Sequence, residues 1–172
     1  MTTKFRNLVV GLMLIGLIGL DGGVSAASLK NVIPATSVAA VGSKAKQLEG
    51  TWQVQVTLQN CQTGVALRTA PAFLTFEQGG TLVETTAVFS SSQRGPGHGF
   101  WEHTGGKTFK AVSKAFVFNP DGTLAGTQTI TQSIEFGDDP DVFNSTATTE
   151  IVAPNGNVIL SGCATAVAHR ME

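Results

Sequence analysis

The side chains with the most chemistry to offer crowd into one stretch, RGPGHGFWEH, residues 94–103. Arg94, His98, Glu102 and His103 bring a guanidinium, two imidazoles and a carboxylate together beside Phe100 and Trp101. Such a set could move protons, hold a metal or close over a ligand. The metal reading fails on geometry. A zinc-protease motif needs two histidines four apart on a helix, with the glutamate next to the first, and this glycine-rich segment is not helical. On an extended strand Glu102 and His103 point to opposite faces, so a metal would need a remote ligand such as His169, and no metal site is expected. As an entrance loop made mobile by its glycines, the segment would present Trp101 as an aromatic wall to a ligand. The plainer alternative puts Trp101 in the core and the histidines on the surface. If the chain catalyses a reaction, Glu84, Glu102 and His103 are the acid–base candidates.

Elsewhere the chemical signals are sparse. Asp138, Asp139 and Asp141 in GDDPD lack the spacing of a calcium loop and read as a solvated turn. Asn144-Ser145-Thr146 fits the glycosylation pattern but falls inside an expected strand. There is no Gly-x-Ser-x-Gly, no phosphate loop and no Cys-x-x-Cys, so no cofactor is implied.

Most of the chain reads as β. Trp52, Val54, Val56 and Leu58 alternate with Thr51, Gln53, Gln55 and Thr57, the period of a strand with one buried face. Further segments are expected at Phe73–Glu77, Thr81–Ser90, Phe100–His103, Lys107–Phe118, Thr123–Phe136, Val142–Val152 and Val158–His169. Gly79-Gly80, Gly105-Gly106, Asn119-Pro120-Asp121-Gly122 and Pro154-Asn155-Gly156-Asn157 are turn signals between them. Eight strands with short connections and no intervening helix predict an all-β, eight-stranded antiparallel up-and-down barrel, because closure removes the exposed edges.

The N-terminus reads differently. Lys4 and Arg6, the apolar run Leu8–Leu20 and the small residues Val24-Ser25-Ala26 have the plan of a secretory signal peptide, cleaved near Ala26. The run is short for a bilayer span and no later one is longer, so no membrane span is expected in the mature form. Residues 27–47 read as a flexible tail, with a helical turn near Ser43–Leu48, and 48–172 as the barrel domain. Without Lys4, Arg6 and Asp21 the net charge is about −2, which offers no electrostatic footprint for nucleic acid. A secreted or periplasmic location favours a disulfide between Cys61 and Cys163 over two free thiols.

Closure constrains these residues further. In an antiparallel ladder between the first and last strands, opposed residue numbers have a nearly constant sum. Cys61 with Cys163 and Trp52 with Arg170 fit one register within the slack of a bulge. The cysteines would staple the two strands at one end, and Arg170 would stack on the Trp52 indole at the other.

Gly50-Thr51-Trp52 at the start of the first strand, eight alternating strands and Arg170 after the last resemble the calycin superfamily. Lipocalins open with Gly-x-Trp and lay a late arginine across that tryptophan; avidins also open with Gly-Thr-Trp. The resemblance spans residues 48–171 in layout and implies an internal ligand site, though the chain has no Thr-Asp-Tyr segment, no tyrosine and no C-terminal helix. Barrels of the allene oxide cyclase and dirigent type are similar in plan.

Three strands turn small residues inward: Ala111, Ser113 and Ala115; Ser145 and Ala147; Gly162, Ala164, Ala166 and Ala168. Small walls leave space for one small, mostly apolar ligand. Gln128 and Gln132 share the inward parity of Ile130 and Ile134, unless Thr127, Thr129 and Thr131 face in instead. The expected ligand contacts are Trp101, Ser113, Gln128, Gln132 and Ser145. Three functions fit: a lipocalin-like binder, an isomerase or cyclase of the allene oxide cyclase or dirigent kind, and a structural protein that docks through Val112, Phe116 and Phe118.

Overall fold

A computed structural model describes residues 46–172. The leader expected over 1–26, and all but the last two residues of the tail expected over 27–47, lie outside the described residues. A single 3₁₀ turn, Lys46–Leu48, precedes eight strands in chain order: β1 (Gly50–Gln59), β2 (Ala66–Phe76), β3 (Thr81–Thr86), β4 (Gly97–Gly105), β5 (Thr108–Phe118), β6 (Leu124–Phe136), β7 (Val142–Val152) and β8 (Val158–Arg170). Each is antiparallel to the next, and β8 returns to β1 to close the barrel.

The closing ladder has the expected register. Trp52 opposes Arg170, and Gln59 opposes Cys163. Cys61 lies two residues beyond Gln59 and reaches Cys163 diagonally in a disulfide, with 5.3 Å between the Cα atoms.

At the other end the Arg170 guanidinium sits 4.3 Å from the centroid of the Trp52 ring. Its three nitrogens donate to Glu49 O, Gln47 O and Asp141 Oδ1, each at 2.7 Å. Gly50 has φ 118°, and a Cβ there would come within 2.9 Å of Arg170 Nη1. The glycine of the opening triplet therefore meets two demands, a left-handed backbone and room for the arginine. Trp52 is fully buried and its Nε1 donates to Leu48 O at 2.9 Å, which fixes the 3₁₀ turn across that end.

Six aromatic rings fill this end: Trp52, Phe76, Trp101, Phe109, Phe136 and Phe143. They meet tilted or edge-on, with centroids from 4.8 Å (Trp52–Phe143) to 6.2 Å (Phe76–Trp101). Such pairs each add about 0.5–1.5 kcal/mol beyond area burial.

Several boundaries differ from the sequence expectations. β2 begins at Ala66 and runs through Pro71. The Pro71 carbonyl accepts from Ala87 N at 2.9 Å, beyond the last β2–β3 pair, Ala72 with Thr86. The missing N–H thus falls where β3 has ended, which lets a proline stay in the strand. β3 stops at Thr86, and β4 starts at Gly97 instead of Phe100. Gly97 and Gly99 are strand residues, not parts of a mobile loop. A Cβ on Gly99 would strike the Val112 carbonyl, so glycine permits a close β4–β5 approach. Outside, Phe73, Phe100 and Phe116 stand 46%, 56% and 60% exposed; Val112 and Phe118 are only half-exposed.

Replacing both cysteines by serine is expected to lower unfolding free energy by about 2–4 kcal/mol. Arg170→Ala removes three hydrogen bonds and the cover over the indole, and is expected to cost about 2–3 kcal/mol. Urea denaturation followed by tryptophan fluorescence measures both. A negligible change in either variant would show that the two ends are not held as described.

Candidate functional site

Beyond the aromatic layer the inward side chains shrink. Ala72, Ala111, Ala147, Ala164 and Ala166, with Val54, Val56 and Ile130, wall a cavity of ≈ 90 Å³. One water needs roughly 10–15 Å³ of such space, so the hollow takes a handful of solvent-sized groups or a slender organic ligand. A larger depression of ≈ 670 Å³ bounded by Gln55, Thr57, Lys110, Glu135, Asn144 and Thr146 is more open. Those side chains share the outward parity of their strands, so it is a furrow in the outer surface, not the barrel's hollow.

The cavity lies toward the end that carries the β1–β2, β3–β4, β5–β6 and β7–β8 connections. The β3–β4 connection, residues 87–96, folds inward there. Val88 and Phe89 reach the cavity wall. Arg68 donates to Ala87 O at 3.3 Å and to Val88 O at 3.1 Å. Gly95 N donates to Phe116 O at 3.1 Å, and Phe118 N to Gln93 O at 2.8 Å. The connection is pinned on both flanks.

Arg94 drives its guanidinium into the barrel. It is 5% exposed and Glu84, opposite, is 6% exposed. Arg94 Nη2 is ion-paired with Glu84 Oε1, and Arg94 Nε donates to Gln128 Oε1. Arg94 Nη1 bonds the Gly95 carbonyl at 3.1 Å. Ser113 Oγ donates to Glu84 Oε1 at 3.4 Å, and Gln128 Nε2 to Thr149 Oγ1 at 2.9 Å. Gln132 Nε2 donates to Ser145 Oγ at 2.8 Å. The sheet makes room for this chain of groups: Glu84 opposes Gly97, and a Cβ at Gly97 would overlap the Glu84 carboxylate.

Ser113, Gln128, Gln132 and Ser145 all line the cavity, as their inward parity predicts. Thr127, Thr129 and Thr131 therefore take the outer face. Trp101 is not a cavity wall. It is a core residue, as the plainer reading has it: its ring meets Phe76 and Phe109 in the aromatic layer, and its Nε1 donates to Glu77 O at 3.1 Å. Of the three acid–base candidates, Glu84 alone borders the cavity. Glu102 is exposed on the outer face. It lies five residues along β4 from Glu84's partner Gly97, about 17 Å at the rise of a strand. His103 packs against Phe109 at 4.9 Å and bonds Gly106 O at 3.1 Å, in the β4–β5 turn. His98 is exposed.

Arg94 and Thr149 belong to this polar cluster around Gln128, and neither is among the contacts expected from the sequence. The signal for Thr149 was its inward parity on β7. The signal for Arg94 was a charged residue among glycines that only close packing would demand. No family model matches the chain, and no curated protein does.

Breaking a buried pair by removing one partner strands the other charge. Arg94→Met is therefore expected to cost about 3–5 kcal/mol. Adding Glu84→Leu to it should restore most of that loss, since two apolar side chains then replace two mutually dependent charges. A double-mutant cycle in urea reads the coupling; losses that simply add would mean that the pair does not interact.

Proposed function

We propose that this chain is a secreted, lipocalin-like carrier that holds a small, mostly apolar molecule inside its barrel. The observation that carries the reading is the division of the interior. One end is packed solid by six aromatic rings, whereas the other is walled by alanines and valines around open space. Natural cores close such space with larger side chains, and an unfilled apolar hollow loses packing energy along its lining. A ligand restores those contacts, at roughly 25 cal/mol for each Å² of apolar surface it buries, before ordering costs. Calycin-like layout supports the same reading, through Gly50, Trp52 and Arg170 arranged at the closed end. The Cys61–Cys163 disulfide agrees with passage through an oxidising compartment.

A cyclase or isomerase is the second reading, and Glu84 is the observation that favours it, as a carboxylate at the cavity wall. Its bonds to Arg94 and Ser113 suit it better to orienting a bound group than to exchanging a proton.

Native mass spectrometry of the protein purified from its source, with an apolar fluorescent probe titrated into the emptied protein, tests the carrier reading. A retained small molecule and saturable probe binding are expected. Ala164→Phe should plug the hollow, weakening the probe by about tenfold or more for a stability change within about 1–3 kcal/mol. Probe binding that Ala164→Phe leaves unchanged would place the ligand elsewhere or nowhere.

A further inference from the structure

The polar groups of the cavity wall form a sequence whose direction is set by chemistry. A guanidinium can only donate hydrogen bonds. Arg94 Nε must therefore meet the oxygen of Gln128, which leaves the amide nitrogen to donate to Thr149 Oγ1 at 2.9 Å. Thr149 accepts in that bond, so its own proton remains free to give. At the other end, Arg94 and Ser113 both bond the same oxygen of Glu84, Oε1. Among the described residues no side-chain oxygen or nitrogen is both buried and without a partner. Glu84 Oε2 receives neither of those bonds, so it reaches open space, and the space Glu84 borders is the cavity.

The hollow is thus offered one charged acceptor, Glu84 Oε2, beside the neutral Gln132 amide oxygen, and two hydroxyls free to donate, Thr149 and Ser145, the latter accepting from Gln132 Nε2. Three of the five guanidinium N–H groups are committed, Nε to Gln128, Nη1 to Gly95 O and Nη2 to Glu84, and Arg94 is not among the residues that wall the hollow. Resting on the carrier reading, we infer that the bound molecule is a neutral, hydroxyl-bearing apolar compound whose O–H donates to Glu84 Oε2. An organic acid would bring a second negative charge against that oxygen in a poorly solvated place, and like charges there repel strongly. An amine would add a cation beside Arg94, to a pair whose charges already cancel, and would lose its own hydration. A hydroxyl group meets the free acceptor without adding charge.

The test compares four probes of nearly equal size on the purified protein by calorimetry: 1-octanol, its isomer 1-methoxyheptane, octanoate and octylamine. The ether keeps the oxygen and the apolar chain but has no proton to donate. Octanol is expected to bind about tenfold or more tighter than each of the others, the scale of a hydrogen bond to a charged acceptor. In Glu84→Gln the free position becomes an amide, and the margin of octanol over the ether should fall to within about threefold. Should that variant not fold, the alcohol–ether comparison on the native chain decides alone. A smaller margin for octanol, or any of the other three in front, overturns the inference while leaving the carrier reading in place. If none of the four binds to the folded protein, the carrier reading itself falls.

Discussion

The ladder between β1 and β8 is the constraint on which the rest of the molecule depends. Once Trp52 is set against Arg170 and Gln59 against Cys163, every strand has one face inside and one outside, and no free choice of parity remains. Both ends of that ladder are locked by side-chain chemistry. At one end Arg170 covers an indole and ties three neighbouring segments, the 3₁₀ turn, the start of β1 and the β6–β7 turn. At the other a covalent bond joins the β1–β2 turn to β8. A barrel clipped in this way can leave part of its interior unfilled, because its closure does not rest on a packed core alone.

The interior is accordingly divided. Aromatic side chains from β1, β2, β4, β5, β6 and β7 fill the Arg170 end, and alanines, valines and serines line the remainder. Into the second part the chain inserts a buried ion pair. Such pairs are weak sources of stability, because the cost of removing two charges from water roughly matches their attraction. The Glu84–Arg94 pair is better understood by what it positions. It draws residues 87–96 inward over the hollow, fixes the Gln128 amide and leaves one carboxylate oxygen free. Gly97 is the accommodation that the backbone makes for it.

Alternation made the strands legible. The inward sets of β1, β5, β7 and β8 follow from period-two patterns, and the same parity put Ser113, Gln128, Gln132 and Ser145 in the cavity. The closing register was legible because two pairs of special residues, Cys61 with Cys163 and Trp52 with Arg170, had to agree with one another. What escaped were features set by position along the barrel axis, which alternation does not encode. Trp101 faces inward as expected, yet β4 begins three residues before Phe100, so the indole lies in the aromatic layer and not at the cavity. Pro71 hid the first half of β2, since its missing N–H is harmless only where the neighbouring strand has ended. The pairing of Glu84 with Arg94 depends on how an irregular connection folds, and no local pattern carries that.

A closed barrel here keeps an apolar hollow next to a solid aromatic floor. Diffraction from crystals held under xenon pressure measures this most directly, because xenon enters apolar space and reports it by its electrons. One ordered xenon site is expected within the barrel, in contact with Val56, Ala72, Ala147 and Ala164 and absent from the layer of Trp52, Phe136 and Phe143. A barrel that admits no xenon, with those alanine-bearing strands drawn together, would contradict it.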